Sequence, residues 1–172
     1  MKKNNVVWLT GLSGSGKTTL SNLIAKKLRN KKFKVTIIDG DSFRVKKDYK
    51  KNFSKVKIYE NNILIIRYIY KLYKSYDYVI VSVISPLKKT RLIAKKKFKE
   101  KYYEVFVNCS IKELVKRDTK DLYARAKSGK LKNLIGFNSK IVYEKSDYKK
   151  IIVNTHREKL NESLEKILKK II

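Results

Sequence analysis

Gly11-Leu12-Ser13-Gly14-Ser15-Gly16-Lys17-Thr18 is the stretch of this sequence that decides the fold. It fits the pattern G-x-x-x-x-G-K-[ST], whose glycines let backbone N–H groups turn toward a polyphosphate. Residues 6–10 before it form an apolar, β-rich run, and apolar residues recur at helical spacing after it, to about residue 30. A strand, a glycine-rich turn and a helix N-terminus are the context in which such a loop binds phosphate. The stretch therefore predicts a site for a nucleoside triphosphate.

The side chains of this loop have predictable roles. Lys17 is expected to reach the β- and γ-phosphates and is a candidate catalytic residue, while Thr18 offers an oxygen to Mg²⁺. We therefore expect a nucleoside triphosphate with Mg²⁺ as its metal. The predicted nucleotide-binding residues of the loop, which the resemblance described below assigns to ATP as phosphoryl donor, are Gly11, Ser13, Gly14, Ser15, Gly16, Lys17, Thr18 and Thr19.

Strand and helix patterns alternate along the rest of the chain. The alternation predicts an α/β fold, namely a five-stranded, mostly parallel, doubly wound sheet with helices on both faces. Residues 1–172 are expected to form one domain. Residues 119–148 are polar and irregular with two glycines, and are predicted to be a mobile lid. The further strands are predicted at residues 35–39, 78–84, 104–108 and 151–153.

Helix starts are marked by side chains that can cap them. Ser54 is predicted to cap a helix that runs to about residue 73, and Leu87 begins another that runs to about residue 100. Ser110 and Glu113 have the capping-box spacing, as do Thr155 and Glu158, so each pair predicts a helix start.

The composition limits the class of protein. The chain has 172 residues, of which 42% are hydrophobic, which is enough for a sizeable core. Its single cysteine, Cys109, excludes a disulfide framework and a cysteine-based zinc site, and is expected to be an inert core thiol in a reducing compartment. No apolar run approaches the roughly 18 residues of a membrane span. We expect a cytoplasmic protein with no membrane partner.

The net charge of +29 raises the question of a polyanionic partner. Only seven of the 44 basic residues are arginine, whereas proteins that read bases and phosphates tend to use the fixed fork of arginine. The lysines are also spread over nearly every predicted helix, as a drift toward AT-rich codons would produce. A nucleic-acid partner is therefore not favoured, and a basic nucleic-acid-binding module that retains a nucleotide site is an alternative.

The residues 39–44, with the sequence D-G-D-S-F-R, lie at the end of the second predicted strand. Two carboxylates around one glycine can place Asp39 toward Mg²⁺ and Asp41 toward an acceptor hydroxyl. Arg44 suits an anionic group on that acceptor. A polar strand-to-helix turn is the alternative interpretation. Because no N-K-x-D motif is present, a small-molecule or nucleotide kinase is favoured over a GTPase.

At this point the sequence resembles the adenylylsulfate kinases, which phosphorylate the 3′-hydroxyl of adenylyl sulfate. The resemblance implies a nucleotide-kinase fold with a lid, a small-molecule nucleotide acceptor and a homodimer. The matching stretches are collinear and lie at residues 8–19, 39–44, 53–54, 60–61, 84–86, 104–108, 116–136 and 142–144.

The resemblance also implies roles for individual residues. Ser85 matches the serine described as a phosphoserine intermediate, but no base is evident beside it in the sequence, so we expect direct transfer without one. Thr155 is expected near the donor adenine, and Tyr123 is the tyrosine that stands out in the lid. The implied acceptor-binding residues are Asp39, Asp41, Arg44, Phe53, Asn61, Ser85 and Lys132, and those near the ATP phosphates or on the lid are Arg117, Lys120 and Arg125.

The acceptor half departs from the pattern of the family. The Asp-Arg pair of the family falls at Lys57-Ile58, and its Ile-Arg-Arg falls at residues 62–64, here Asn-Ile-Leu. A related branch is the cytidine diphosphoramidate kinase of bacterial capsule synthesis, and its substrate is our predicted acceptor. The alternatives are adenylyl sulfate itself and, outside nucleotides, a simple alcohol.

Overall fold

The computed structural model describes residues 3–45 and 54–172, and the side chains of residues 44 and 45 lie outside that description. Five strands alternate with helices along these residues. The strands are β1 (Asn5–Thr10), β2 (Val35–Asp39), β3 (Tyr78–Ser82), β4 (Tyr102–Asn108) and β5 (Ile151–Asn154). The helices are α1 (Lys17–Asn30), α2 (Gly40–Val45), α3 (Lys55–Leu72), α4 (Lys88–Phe98), α5 (Ile111–Arg117), α6 (Leu122–Lys127) and α7 (Leu160–Ile171).

The five strands form one sheet in the order β2-β3-β1-β4-β5, and each neighbouring pair is parallel. Strand β1 is central, so that Leu9 pairs with Ser82 on one side and with Val105 on the other. Because all five strands run in the same direction, their carboxyl ends meet at one edge of the sheet, where ligands bind in such folds. The predicted doubly wound sheet is confirmed.

Helices cover both faces of the sheet, as the burial of every residue of β1 requires. Val7 and Leu9 point into a core that includes residues of α1 and α7. Val6 and Trp8 point into a second core that includes residues of α3 and α4. All four side chains are fully buried, as expected of a parallel strand covered on both faces.

Three predicted boundaries are wrong, and one of them is the start of β4, which lies at Tyr102 rather than at residue 104. Strand β3 ends at Ser82 rather than at residue 84, because the chain turns at Ser85, whose φ of 43° is left-handed. Helix α7 starts at Leu160 rather than after Thr155. The Glu162 carboxylate accepts the N–H of Lys159, the residue that precedes the helix, at 2.9 Å. The predicted capping role of Thr155 is therefore also wrong, since the N–H of Glu158 donates to the carbonyl oxygen of Asn154 at 2.8 Å.

The other predicted caps are present. The Ser54 hydroxyl accepts the N–H of Lys57 at 3.3 Å, and α3 follows it as expected. The Ser110 hydroxyl accepts the N–H of Glu113 at 3.4 Å at the start of α5. These caps succeed because they need only local backbone geometry.

The segment 119–148 is less irregular than predicted, because it contains α6. Tyr123, Ala126 and Leu134 of this segment are buried in one cluster with Cys109, which confirms the expected core position of that thiol. The Asp118 carboxylate accepts the N–H groups of Tyr123 and Ala124 at 3.0 and 2.7 Å. Burial acts to raise the pKa of Asp118, but these backbone hydrogen bonds outweigh it and lower the pKa.

No helix among residues 3–45 and 54–172 is long and apolar enough to cross a bilayer. The longest of the helices, α3, packs its apolar face against the sheet.

Candidate active site

The phosphate loop connects β1 to α1 at the carboxyl edge of the sheet. Gly11, Gly14 and Gly16 have φ values of 149°, 75° and 96°, a region that side chains rarely adopt. A Cβ on Gly11 would also lie 2.4 Å from the carbonyl oxygen of Val107. Glycine is therefore required at this position by both space and backbone conformation. The loop leads directly into the N-terminus of α1, where the N–H groups and the helix dipole favour an anion.

Lys17 begins α1 and folds back over the loop. Its Nζ donates to the carbonyl oxygen of Leu12 at 2.7 Å, and the residue is buried. Thr18 and Thr19 are exposed in the same turn of the helix. The ammonium group is thus held beside the backbone that would receive a phosphate.

Thr18 and Asp39, the predicted metal-binding pair, lie together. The Thr18 hydroxyl donates to Oδ2 of Asp39 at 3.3 Å, while Oδ1 accepts the N–H of Asp41 at 2.9 Å. Among the described residues no cluster of three or more His, Cys, Asp and Glu can hold a metal ion. A hydroxyl and a carboxylate fit Mg²⁺, which commonly takes one or two protein ligands and completes its shell with phosphates and water.

Asp41 and Lys120 connect the acceptor side to the predicted lid. The Lys120 Nζ lies 2.8 Å from Oδ2 of Asp41, and both side chains are about half exposed. Lys120 was expected near the ATP phosphates, so the structure brings together two residues that the sequence assigned to different substrates. Exposed ion pairs contribute about 0–1 kcal/mol, so this one can break when a substrate binds.

Arg117 and Thr155 lie together on the donor side of the loop. The Thr155 hydroxyl donates to the carbonyl oxygen of Ser15 at 2.9 Å, and Arg117 donates to the Thr155 carbonyl oxygen at 2.6 Å. Arg125 and Lys132 are exposed, and no hydrogen bond or ion pair within the described ranges joins either side chain to the loop. The predicted donor residues are therefore only partly assembled, because Arg125 is not joined to the loop, and neither is Lys132, which was predicted to bind the acceptor.

The acceptor residues are more scattered. Ser85 is buried, with its hydroxyl 3.4 Å from that of Thr90, and neither group is a base. The Asn61 side-chain oxygen is buried on α3 without a partner among the described residues. Phe53 and the side chain of Arg44 lie outside the described residues.

Three positions where the family resemblance places an arginine are apolar and packed here, namely Ile58, Ile63 and Leu64. Ile58 is buried in a cluster with Leu87 and with Ile135 of the predicted lid. Ile63 and Leu64 pack against the sheet core on the α3 face. These side chains belong to the packing of α3, and Ile58 also holds the predicted lid.

The sequence did not predict a buried network of hydrogen bonds and one ion pair behind Ser85. Arg91 and Glu104 are both buried, with 3.4 Å between Nε and Oε1, and Ser146 hydrogen-bonds to both. Arg91 also donates to the Ser85 carbonyl oxygen at 2.5 Å, and its guanidinium lies 4.8 Å from the centre of the Tyr143 ring. No sequence signal marks this arginine, because it lies in a lysine-rich helix that is typical of a solvated surface.

Tyr143 joins this network to the phosphate-loop strand. Its hydroxyl lies 3.0 Å from that of Thr10, the last residue of β1, and its ring stacks on Phe106. Burial is the main cause that raises the pKa of Tyr143 to about 12, so the group stays neutral at physiological pH.

Comparison with known families now adds to this geometry. The model of the family described as adenylylsulphate kinase matches residues 3–154. This chain belongs to that family. A probable adenylyl-sulfate kinase of Archaeoglobus fulgidus is 36% identical over 152 residues, which cover 88% of this chain and 96% of the relative. An adenylyl-sulfate kinase of Picosynechococcus is 36% identical over 96% of this chain and 92% of its own.

Solved structures agree with this assignment. The Mycobacterium tuberculosis APS kinase CysC, in complex with AMPPNP and APS, is 27% identical with a TM-score of 0.83, and 98% of each chain is covered. A shikimate kinase of Aquifex aeolicus, with a TM-score of 0.59 and 14% identity over 96% of this chain and 95% of its own, shows a likeness of fold alone. The resemblance found in the sequence is confirmed, and the chain is an ATP-dependent nucleotide kinase, a phosphotransferase.

Proposed function

We propose that this kinase transfers the γ-phosphoryl group of ATP to the ribose 3′-hydroxyl of a small anionic nucleotide, with cytidine diphosphoramidate as the favoured acceptor. The 3′-hydroxyl is the group that adenylylsulfate kinases phosphorylate. The observation that carries the choice of acceptor is the burial of Ile58 against Leu87 and Ile135, at a position where the family resemblance places an arginine.

The donor end of the reaction rests on the phosphate loop. Its N–H groups and Lys17 bind the ATP phosphates and stabilise the charge of the transferred group. Thr18 and Asp39 would hold Mg²⁺, which supplies further charge neutralisation at the phosphates when it is bound. In this arrangement the acceptor approaches the γ-phosphoryl group from the side of Asp41.

Asp41 is our candidate for the general base. In the transfer, the acceptor oxygen forms a bond to the γ-phosphorus, the bond from that phosphorus to the ADP oxygen breaks, and the hydroxyl proton passes to the Asp41 carboxylate. Lys120 must first leave Asp41, and the ATP phosphates offer it a more negative partner. The release of Asp41 by Lys120 and the contact of Lys120 with the ATP phosphates therefore occur together, when the segment 119–148 closes.

Ser85 has a positional role in this proposal. Its hydroxyl lies against Thr90, and its carbonyl oxygen is held by Arg91, so no base activates it. We propose direct in-line transfer, with the Ser85 turn forming one wall of the acceptor site.

The proposed acceptor preference follows because the Ile58 side chain cannot donate a hydrogen bond to the acceptor. An arginine there would donate charge-assisted hydrogen bonds to a distal sulfate, and the loss of one such contact costs about 1.5–3 kcal/mol, or about 10- to 150-fold in affinity. A phosphoramidate exposes fewer anionic oxygens than a sulfate and carries an amino group instead. It therefore depends less on the missing arginine.

The test is a comparison of kcat/KM for cytidine diphosphoramidate, adenylyl sulfate and a simple alcohol, because this ratio measures differential transition-state binding. We expect cytidine diphosphoramidate to be the best of the three. Ile58→Arg is expected to shift the ratio toward adenylyl sulfate by about tenfold. The matched variant Ile58→Leu keeps the apolar contact and should leave the ratio unchanged.

Adenylyl sulfate is the second candidate acceptor, and it is favoured by the names of the relatives at 36% identity. A preference for it of tenfold or more in the unaltered protein would contradict our choice of acceptor and leave the 3′-kinase proposal in place. Transfer to the simple alcohol alone would contradict both.

A further inference from the structure

A buried tyrosine of the predicted lid hydrogen-bonds to the phosphate loop, beside the apolar contacts that Leu12 of the loop makes with the lid. Tyr123 of α6 is 2% exposed, and its hydroxyl donates to the carbonyl oxygen of Ser13 at 2.8 Å. Its ring packs in the cluster with Leu114 and Leu134 and meets Phe137 edge-on at 5.5 Å between ring centres. The hydroxyl is thus directed at the loop by a fixed ring.

This hydrogen bond constrains the peptide that follows Ser13. A trans peptide is planar, so its C=O and N–H groups point in opposite directions, and the described residues contain no cis peptide. With the Ser13 carbonyl held toward α6, the Gly14 N–H is directed away from α6. No group in the part of the chain that the structure describes accepts from that N–H. It is therefore available to an anion.

We propose that Tyr123 is a positioning residue that sets the Ser13–Gly14 peptide plane for phosphate binding and so couples the segment 119–148 to the phosphate loop. The proposal rests on the ATP half of the proposed function and is independent of the acceptor. Burial raises the pKa of Tyr123 to about 12, so the Tyr123 hydroxyl keeps its proton and remains a hydrogen-bond donor at physiological pH.

The test is Tyr123→Phe, which removes the hydroxyl and keeps the buried ring. Tyr78→Phe is the matched control, since Tyr78 is also buried and its hydroxyl donates to a backbone carbonyl, that of Ile171, at 3.0 Å. The measurements are the affinity for ADP with Mg²⁺ by titration calorimetry, the KM values for ATP and acceptor, and the thermal unfolding midpoint. The calorimetry needs no acceptor, so its result stands whichever nucleotide proves to be phosphorylated.

We expect Tyr123→Phe to weaken ADP binding and raise the KM for ATP by about three- to tenfold, with the KM for acceptor changed less than twofold. Tyr78→Phe should lower the unfolding midpoint similarly and leave ADP binding unchanged. ADP binding in Tyr123→Phe equal to that of the unaltered protein, or an equal rise in both KM values, would overturn the proposal.

A second variant separates the hydroxyl from the ring. Phe137→Leu removes the edge-on contact and leaves the Tyr123 hydroxyl in place, and Phe137 is 37% exposed. ADP affinity within twofold of the unaltered protein supports a role for the hydrogen bond itself. A loss as large as that of Tyr123→Phe would assign the effect to packing and contradict the proposal.

Discussion

The donor and acceptor sides of this kinase differ in what they are made of. The donor side is mostly backbone, namely three glycines with positive φ, a helix N-terminus, and a lysine that folds back over them. The proposed acceptor side is made of side chains on α2, α3 and the turn at Ser85. The geometry of a site made of backbone groups changes only if the fold changes. Side chains on a helix, in contrast, can be substituted one at a time while the fold is kept. The proposed donor site is therefore more constrained by the fold than the proposed acceptor site.

The largest expected effect concerns the support of the acceptor side. Arg91→Met leaves the buried Glu104 carboxylate without its ionic partner, which should cost about 3–5 kcal/mol of unfolding free energy. Urea titration measures this. Arg67→Met, at an exposed arginine of α3, should change stability by less than about 0.5 kcal/mol. If the two variants were equally stable, the acceptor wall would not depend on this pair.

The next prediction concerns the donor side. Lys17→Ala should lower turnover by at least about a hundredfold, because the transferred phosphoryl group depends on electrostatic stabilisation. Steady-state kinetics with ATP measures it, and circular dichroism should show an unchanged fold. Lys26→Ala, at an exposed lysine of the same helix, is the control and should keep full turnover. Near-normal turnover in a folded Lys17→Ala protein would contradict our assignment of the loop.

Two acceptor-side variants sharpen the comparison within that half. Asp41→Asn should lower kcat by about a hundredfold, the usual contribution of a general base. Ser85→Ala should lower it by less than about tenfold, since the Arg91 contact is to the Ser85 backbone and survives the change. Incubation with γ-labelled ATP and no acceptor should leave Ser85 unlabelled. Stoichiometric phosphoserine that goes on to product would reverse these roles.

The smallest expected effect distinguishes two parts of the segment 119–148. Amide exchange at α6 should be slow even without ligand, because Tyr123 and Ala126 are buried. Residues 128–133, which are mostly exposed, should exchange quickly and slow down only when both nucleotides bind. Equal exchange in both states across residues 128–133 would show that this part does not close.

The features that could be predicted from the sequence are those that depend on neighbours along the chain. The phosphate loop, the strands and the caps at Ser54 and Ser110 each need only a few consecutive residues and their backbone geometry. Thr155 has the spacing of a cap and fails as one, because the N–H of Glu158 donates to Asn154 and the Thr155 hydroxyl oxygen accepts from Arg117 instead. A local pattern is therefore a good guide only where no distant group competes for the same atom.

The sequence by itself determined the doubly wound fold and the nucleotide site. Both depend on patterns of consecutive residues, namely the alternation of strands with helices and the spacing of the glycines. The tertiary structure decided the contacts between distant residues. It placed Tyr123 on the carbonyl of Ser13, 110 residues away, and buried the Arg91–Glu104 pair. It also placed Ile58, which stands where the resemblance puts an arginine of the family, in contact with Ile135 of the predicted lid. Such contacts depend on how helices pack over the sheet, and helical periodicity shows which face of a helix is buried but not which residue it meets there.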